Sequence, residues 1–393
     1  MIELLAYWVR LGGGLLLIPF FANFSEALVQ EYTLPNILVS ETPSVMEWES
    51  ERKEVILKLF EEHVYGVFPK NAPTLSSVEV LETGEAFGGL ATRTQVQVVY
   101  EKGGKELPLQ LLIYTPVTEG PHKTIVSYNY EGNHTAVSDP DVLPSTVYAK
   151  RLPNAVRPFN EKERGKNSER FPVEDLLKTG FATVSVYYGD VDPDFNDNFQ
   201  NGAHALYPEL DSGSWGSLSA WAWGFSRVMD YIETNPLLDD THTSLFGFSR
   251  HGKAALWTMA NDDRFHSAVI DSSGDGGATL ARRNFGETTW LMTFRFPHWF
   301  VDTYHTYSGK EDELPVDQHM LLALAAPRPL LISSADKDLW LDPKGEILAV
   351  EAAQEVYVLY DSQNLQHVLH EGGHEVTQRE WDDYVKFFKR SLE

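Results

Sequence analysis

Cysteine is absent from this 393-residue chain, so neither disulfides nor thiolate metal ligands can contribute to its structure or chemistry. Basic residues are scarce beside acidic ones: 32 Lys and Arg against 57 Asp and Glu give a formal charge of −25. Such a surface repels phosphate backbones and anionic lipid headgroups, so neither nucleic acid nor a membrane surface is an expected partner. No G-x-G-x-x-G or Walker sequence stands between a strand and a helix, and no nucleotide is expected. Repeats and linkers are lacking too. What is present is core material: 42% hydrophobic residues, with 10 Trp, 17 Tyr and 21 Phe, a composition for a folded globular chain.

One strongly apolar stretch opens the sequence. Arg10 precedes the run Leu11 to Phe21, and Ser25 and Ala27 supply small residues before a cleavage point. We read residues 1–27 as an export signal and 28–393 as a single domain, secreted or periplasmic, the alternatives for the apolar stretch being a membrane anchor or a wrongly assigned start codon. Beyond it, Ser44 to Val67 has the pattern of a helix. Val96, Val98 and Tyr100 alternate with Gln95, Gln97 and Val99, Gly103-Gly104 turns the chain, and Leu109, Leu111 and Ile113 resume the alternation, predicting an antiparallel hairpin at a sheet edge. Short apolar runs follow, at 124–128, 181–188, 243–247, 266–271 and 328–334, separated by helical segments. That alternation predicts buried parallel strands with βαβ crossovers. Leu218, Trp221, Ala222, Phe225, Val228, Met229 and Ile232 mark one buried helix face, stopped by Asn235-Pro236. The aromatic stripe 215–225 is core packing, and 135–180 is an excursion over the surface.

Residues 243–260, TSLFGFSRHGKAALWTMA, supply a strand, a turn and an amphipathic helix around Ser249. The nucleophile elbow of α/β-hydrolases is written G-x-S-x-G, because a sharp strand-to-helix turn exposes the hydroxyl and aims the helix N-terminus at the reacting oxygen. Here the second glycine comes one residue late, at Gly252, and His251 fills the position expected to be small. By itself that pattern fits a serine capping a helix. Hydrolases of this fold place an acid and then a histidine later in the chain. LLISSADKDLWLD (330–342) offers Asp336, Asp338 and Asp342 after an apolar strand, and HVLHEGGH (367–374) offers His374 just before a C-terminal helix, Thr377 to Leu392.

Two other histidine readings are set aside. His370-Glu371-Gly372-Gly373-His374 matches H-E-x-x-H, but that zinc signature needs both histidines on one helix face, and two central glycines each cost about 1 kcal/mol of helix propensity. No metal is therefore expected. His251 falls in the first turn of the following helix with its ring turned away from the serine, and His134, His298 and His319 read as hydrogen-bonded structural residues.

The segment GFSRHGKAAL resembles the G-x-S-R-x-G-K motif of the glucuronoyl esterases, carbohydrate esterase family fifteen, in its bacterial type. The resemblance extends through SYNYEGNH (127–134), YYGDVDPD (187–194), SSGDGGATLARRNFGET (272–288), FPHWF (296–300), the stretch 314–343 and EGGHEVT (371–377). It implies an α/β-hydrolase fold: a mostly parallel sheet between helix layers. It also implies Ser249 as nucleophile, His374 as general base, the Arg250 side chain in the oxyanion hole, and Lys253, Glu287 and Trp340 against the sugar acid. Many relatives carry the acid of the triad as a glutamate where this chain has Ser272. The acid then comes from elsewhere, with Asp338 expected ahead of Asp336, Asp275 and Glu287. Implied with the family is hydrolysis of glucuronic acid esters, as in lignin–carbohydrate linkages of glucuronoxylan; separately, no cofactor and a monomer are expected. The competing readings are another serine hydrolase, such as an acetyl-xylan esterase, and a non-catalytic carbohydrate-binding protein that keeps the fold.

Overall fold

The computed structural model describes residues 2–11, 14–148, 155–210 and 213–392. Most of the expected export segment falls where side chains lie outside the described residues; its backbone pairs as an antiparallel ribbon of Ile2–Leu11 with Gly14–Asn23. Phe24 and Glu26 rest on the body of the protein, Glu26 bonding Arg283 and Lys344 at 2.6 Å each.

Nine strands form the central sheet. In chain order they are β1 (Thr74–Ala86), β2 (Ala91–Lys102), β3 (Lys105–Pro116), β4 (His122–Asn129), β5 (Ala182–Tyr187), β6 (Leu238–Phe248), β7 (Ser267–Asp271), β8 (Leu330–Ala335) and β9 (Leu365–His370). Their spatial order is β9-β8-β7-β6-β4-β5-β3-β2-β1. The six strands from β9 to β5 are parallel to one another, and β3, β2 and β1 continue the sheet antiparallel. The hairpin predicted around Gly103-Gly104 is β2–β3, closed by left-handed φ of 59° and 76° at the two glycines.

Burial explains the contrast between the two halves. β5, β7 and β8 are buried along their whole length, as parallel strands covered on both faces must be. Across β4, β6, β7 and β8, Val126, Leu245, Ile270 and Ile332 enter one apolar cluster, while Ile125, Phe246, Val269 and Leu331 enter another on the opposite face. Helices α1 (Ser217–Ile232), α2 (Arg250–Asn261) and α3 (Pro343–Leu359) fill the first; α4 (Gln378–Ser391) covers the second with Trp381, Tyr384, Phe387 and Phe388. These are the three layers of an α/β-hydrolase. The expected core stripe is in place, with Trp215, Trp221, Trp223 and Phe225 all at most 1% exposed.

Three boundaries differ from the sequence reading. The outermost strand is β1, whose largely exposed residues hide the period-two signal; the β2–β3 hairpin lies inside it. The helix expected over Ser44–Val67 starts on a Ser44 cap that accepts from Glu47 N–H at 3.2 Å and is broken by π turns at Trp48–Arg52 and Glu61–Tyr65. The excursion 135–180 sends Val142, Phe171, Val173, Leu176 and Leu177 into the second core cluster, so it is anchored to the sheet.

Candidate active site

At the end of β6 the chain bends through Ser249, whose φ of 58° and ψ of −127° are strained for a residue with a side chain, a cost of roughly 1–3 kcal/mol. Neighbouring backbone holds the bend: Ser249 N–H donates to Asp271 O at 2.9 Å, and Gly252 N–H donates to Ser249 O at 2.8 Å. The displaced glycine has a steric cause. A Cβ on Gly247 would lie 2.4 Å from His251 O, and one on Gly252 would lie 3.0 Å from Gly247 O. Strand and helix cross there backbone to backbone, and the close approach falls at residue 252. His251 pays no such penalty because its ring is buried away from the serine, stacked on Tyr130 at 3.9 Å and 20°. Burial, then the adjacent Arg250 charge, hold its imidazole well below the usual histidine range.

His374 sits in the loop after β9, with Nε2 3.1 Å from Ser249 Oγ and Nδ1 2.7 Å from Asp338 Oδ2. Asp338 is 6% exposed, whereas the His374 side chain is 43% exposed. A carboxylate accepting from Nδ1–H leaves Nε2 free to accept the serine proton, which is the relay needed for hydroxyl attack. The other acids have different tasks. Asp336 Oδ1 accepts from Gly372 N–H at 2.9 Å, tying the two loops together. Asp342 caps α3 and takes Arg283 Nε at 2.6 Å. Asp275 accepts from the Tyr304 hydroxyl at 3.2 Å, and burial pushes its carboxyl up to about 8. Ser272 donates to Asp271 Oδ1 at 3.0 Å. The H-E-x-x-H string straddles the end of β9 and a loop, so its histidines share no helix face.

Arg250 opens α2, where its own N–H has no carbonyl one turn earlier to bond. Its guanidinium pairs with Asp194 and lies 4.8 Å from the Trp299 ring; its Nε has no partner among the described residues. Burial opposes the Asp194 charge, yet the adjacent Arg250 guanidinium, with His298 and Trp299, holds that carboxyl far below the usual range. Asp194 accepts from His298 Nε2 at 3.0 Å, Trp299 Nε1 at 2.8 Å and the Tyr188 hydroxyl at 2.9 Å. Sequence reasoning assigned Asp194 no role; its only signal was membership of the YYGDVDPD stretch. Asp194→Asn removes the charge that fixes Arg250, and kcat is expected to fall about 100-fold, the size of one lost oxyanion donor, with KM changed less than about threefold; steady-state kinetics check this.

Beside the serine, Lys253 Nζ donates to Glu287 Oε2 at 2.9 Å and to Asp275 O, and Trp340 Nε1 donates to Glu287 Oε1 at 3.1 Å. Lys253 is 2% exposed. One carboxylate thus ties a cation to an indole, an arrangement able to present charged donors and acceptors next to an aromatic face.

Glu346, a second residue missed from sequence, sits on α3 beneath these loops. It accepts from Ser273 N–H and Oγ at 3.0 Å each, Gly274 N–H at 3.1 Å and the Ser334 hydroxyl. Burial pushes its carboxyl up to about 7 against those bonds. Between the usual carboxylate range and pH 7 the folded chain keeps a proton that the unfolded chain has released, so stability falls as pH rises through that window. Glu346→Gln is neutral throughout. It is expected to flatten the decline between pH 5 and 8 by on the order of 3 kcal/mol, leaving the shares due to Asp190, Asp271 and Asp275, which burial pushes up to about 7, 8 and 8; thermal unfolding at both pH values checks this.

Comparison with known proteins places the chain in a family. A family model described as glucuronyl esterase of fungi matches residues 169–360. A carbohydrate esterase from an unknown prokaryotic organism is 37% identical over 395 residues, covering 93% of this chain and 91% of that one. A glucuronoyl esterase structure from Solibacter usitatus is 35% identical with a TM-score of 0.87, over 93% of this chain and 100% of that one. A promiscuous esterase of family fifteen from a marine bacterial metagenome has a TM-score of 0.85 at 36% identity, over 95% and 100% of the two chains. With identity of 37% along nearly its whole length, an α/β-hydrolase sheet and a serine elbow, the chain belongs to the glucuronoyl esterases of carbohydrate esterase family fifteen.

Proposed function

We propose that this carboxylic ester hydrolase cleaves esters of glucuronic acid or its 4-O-methyl form, as in lignin–carbohydrate linkages of glucuronoxylan. The observation that carries the proposal is the continuous relay Ser249–His374–Asp338, at 3.1 and 2.7 Å, opening beside the Lys253–Glu287–Trp340 cluster. Ser249 Oγ attacks the uronoyl carbonyl while His374 Nε2 takes its proton. The carbonyl oxygen becomes an oxyanion facing the Arg250 guanidinium and the first N–H groups of α2; a permanently charged donor favours that oxyanion over the neutral carbonyl. Collapse breaks the ester C–O bond, and the departing alkoxide takes the proton from His374. Water, deprotonated by His374, then attacks the acyl-serine, and collapse returns the proton to Ser249 Oγ and releases the uronic acid. No step calls on a metal or a cofactor. Lys253 and Glu287 hold the sugar hydroxyls and Trp340 covers the pyranose face.

Assay of benzyl glucuronate against acetylated xylan tests this. The expected result is hydrolysis of the first with at least about 100-fold preference in kcat/KM; preference for acetyl release would replace the substrate assignment. We also infer that residues 1–27 direct export of a monomeric enzyme, supported by the apolar run after Arg10; N-terminal sequencing of protein recovered outside the cytoplasm checks it.

A further inference from the structure

Glu346 is 1% exposed, and the bonds its carboxylate accepts come from segments that carry the candidate site. Oε1 gathers three donors from one loop: Ser273 N–H and hydroxyl at 3.0 Å each and Gly274 N–H at 3.1 Å. Oε2 accepts from the Ser334 hydroxyl on β8, and Ser334 Oγ lies 3.0 Å from His367 Nε2 on β9. One carboxylate on α3 therefore joins the loop after β7 to the two strands whose following loops hold Asp338 and His374.

Above it, the same loop supports the charged pair proposed to hold the sugar. Asp275 O accepts from Lys253 Nζ, which also donates to Glu287 Oε2 at 2.9 Å. The Gly274 backbone passes so close to Glu287 that a Cβ there would lie 2.5 Å from Oε2. Residues 274 and 275 thus form the floor beneath both charged groups. Farther along, the Tyr65 hydroxyl and Gln318 Nε2 donate to the carbonyls of Gly276 and Gly277 at 3.0 and 2.6 Å, so the far end of the loop has its own anchors. The near end has Glu346. Two adjacent buried N–H groups that lose their acceptor must turn toward water, and the floor shifts with them. The relay is supported separately: Asp338 and His374 bond each other and Ser249 without touching Glu346. Ahead of the loop, Ser249 N–H is held by Asp271 O and Ser272 N–H by Ser333 O.

We infer that Glu346 is a positioning residue for the sugar site, fixing the loop under Lys253 and Glu287 and so setting affinity for the uronoyl sugar without setting the speed of the Ser249 relay. The inference deepens the esterase reading and rests on it for the identity of the sugar.

Glu346→Leu keeps bulk and removes both acceptors. The expected result is a KM for benzyl glucuronate raised at least about tenfold with kcat within about threefold, the pattern of lost ground-state binding. Labelling of Ser249 by a phosphonate ester, which needs the relay and no sugar, should stay within about twofold of wild type. Glu346→Gln keeps an oxygen for the three loop donors and should restore KM to within about threefold, a rescue that general loosening of α3 would not show. If Glu346→Leu does not fold, Ser273→Ala, which removes one of the three donors, reads the same effect as a rise of about threefold in KM. Hydrogen exchange gives a readout free of substrate: amides of 272–280 should exchange at least about tenfold faster in Glu346→Leu and at the wild-type rate in Glu346→Gln. An unchanged KM in the folded variants, a loss of phosphonate labelling equal to the loss in kcat/KM, or exchange that rises evenly over the whole chain would overturn the inference. Wild-type enzyme that leaves benzyl glucuronate intact while exchange in 272–280 responds as expected would overturn the esterase reading alone.

Discussion

Ser249→Ala and His374→Ala are each expected to lower kcat for benzyl glucuronate by about 10⁵-fold or more, and the double variant to lose little beyond either single one. The magnitude follows from interdependence. A serine hydroxyl without its base is a weak nucleophile, and an imidazole 3.1 Å from that oxygen has no proton to take once the oxygen is gone, so each deletion disables the whole unit. Residual activity above water should persist, because Arg250 and the first turn of α2 still face the developing oxyanion. KM should change little, since the groups proposed to hold the sugar are Lys253, Glu287 and Trp340. Purified variants with wild-type thermal unfolding and burst-free, trace hydrolysis would meet the expectation. Losses that multiply in the double variant would mean that Ser249 and His374 act in separate steps.

The second large effect belongs to Asp338. Its carboxylate is buried and accepts from His374 Nδ1 at 2.7 Å, fixing the tautomer in which Nε2 is the acceptor. Asp338→Asn keeps shape but places an amide opposite Nδ1. The amide donates, Nδ1 becomes the acceptor, and Nε2 then carries the hydrogen that blocks proton transfer from Ser249. A fall of about 10³- to 10⁴-fold in kcat is expected. Asp336→Asn should cost less than about threefold, because its amide oxygen can still accept from Gly372 N–H. Asp342→Asn should lower stability first, since Asp342 is 1% exposed and paired with Arg283. Kinetics and thermal unfolding of the three variants separate the roles.

These neighbouring acids also show where sequence reasoning reached its limit. Ser249 and His374 were legible because strand-turn-helix order and chain order constrain them, and the structure brings them within hydrogen-bond distance. Asp336, Asp338 and Asp342 all follow the same strand, and only the path of the loop separates a loop tie, a histidine partner and a helix cap. Asp194 lies 56 residues before Arg250 in an irregular segment, so no periodicity could connect them. Glu346 sits on a helix where an acid is ordinarily solvated; its burial depends on the 272–277 loop folding back over α3. In the fold, the fully buried strands announced themselves as apolar runs, whereas the edge strand β1 is exposed along most of its length and its composition, TLSSVEVLETGEA, carries little of the expected alternation.

The central claim is that the hydroxyl of Ser249, activated by His374, is the group that attacks the ester carbonyl. Labelling of the full chain with a phosphonate ester, followed by peptide mapping, tests this most directly. The expected result is one label per chain on Ser249, lost with hydrolytic activity in step, absent in Ser249→Ala and strongly slowed in His374→Ala. Hydrolysis of benzyl glucuronate that continues in fully treated enzyme, or a label on another residue that accounts for the inactivation, would contradict it.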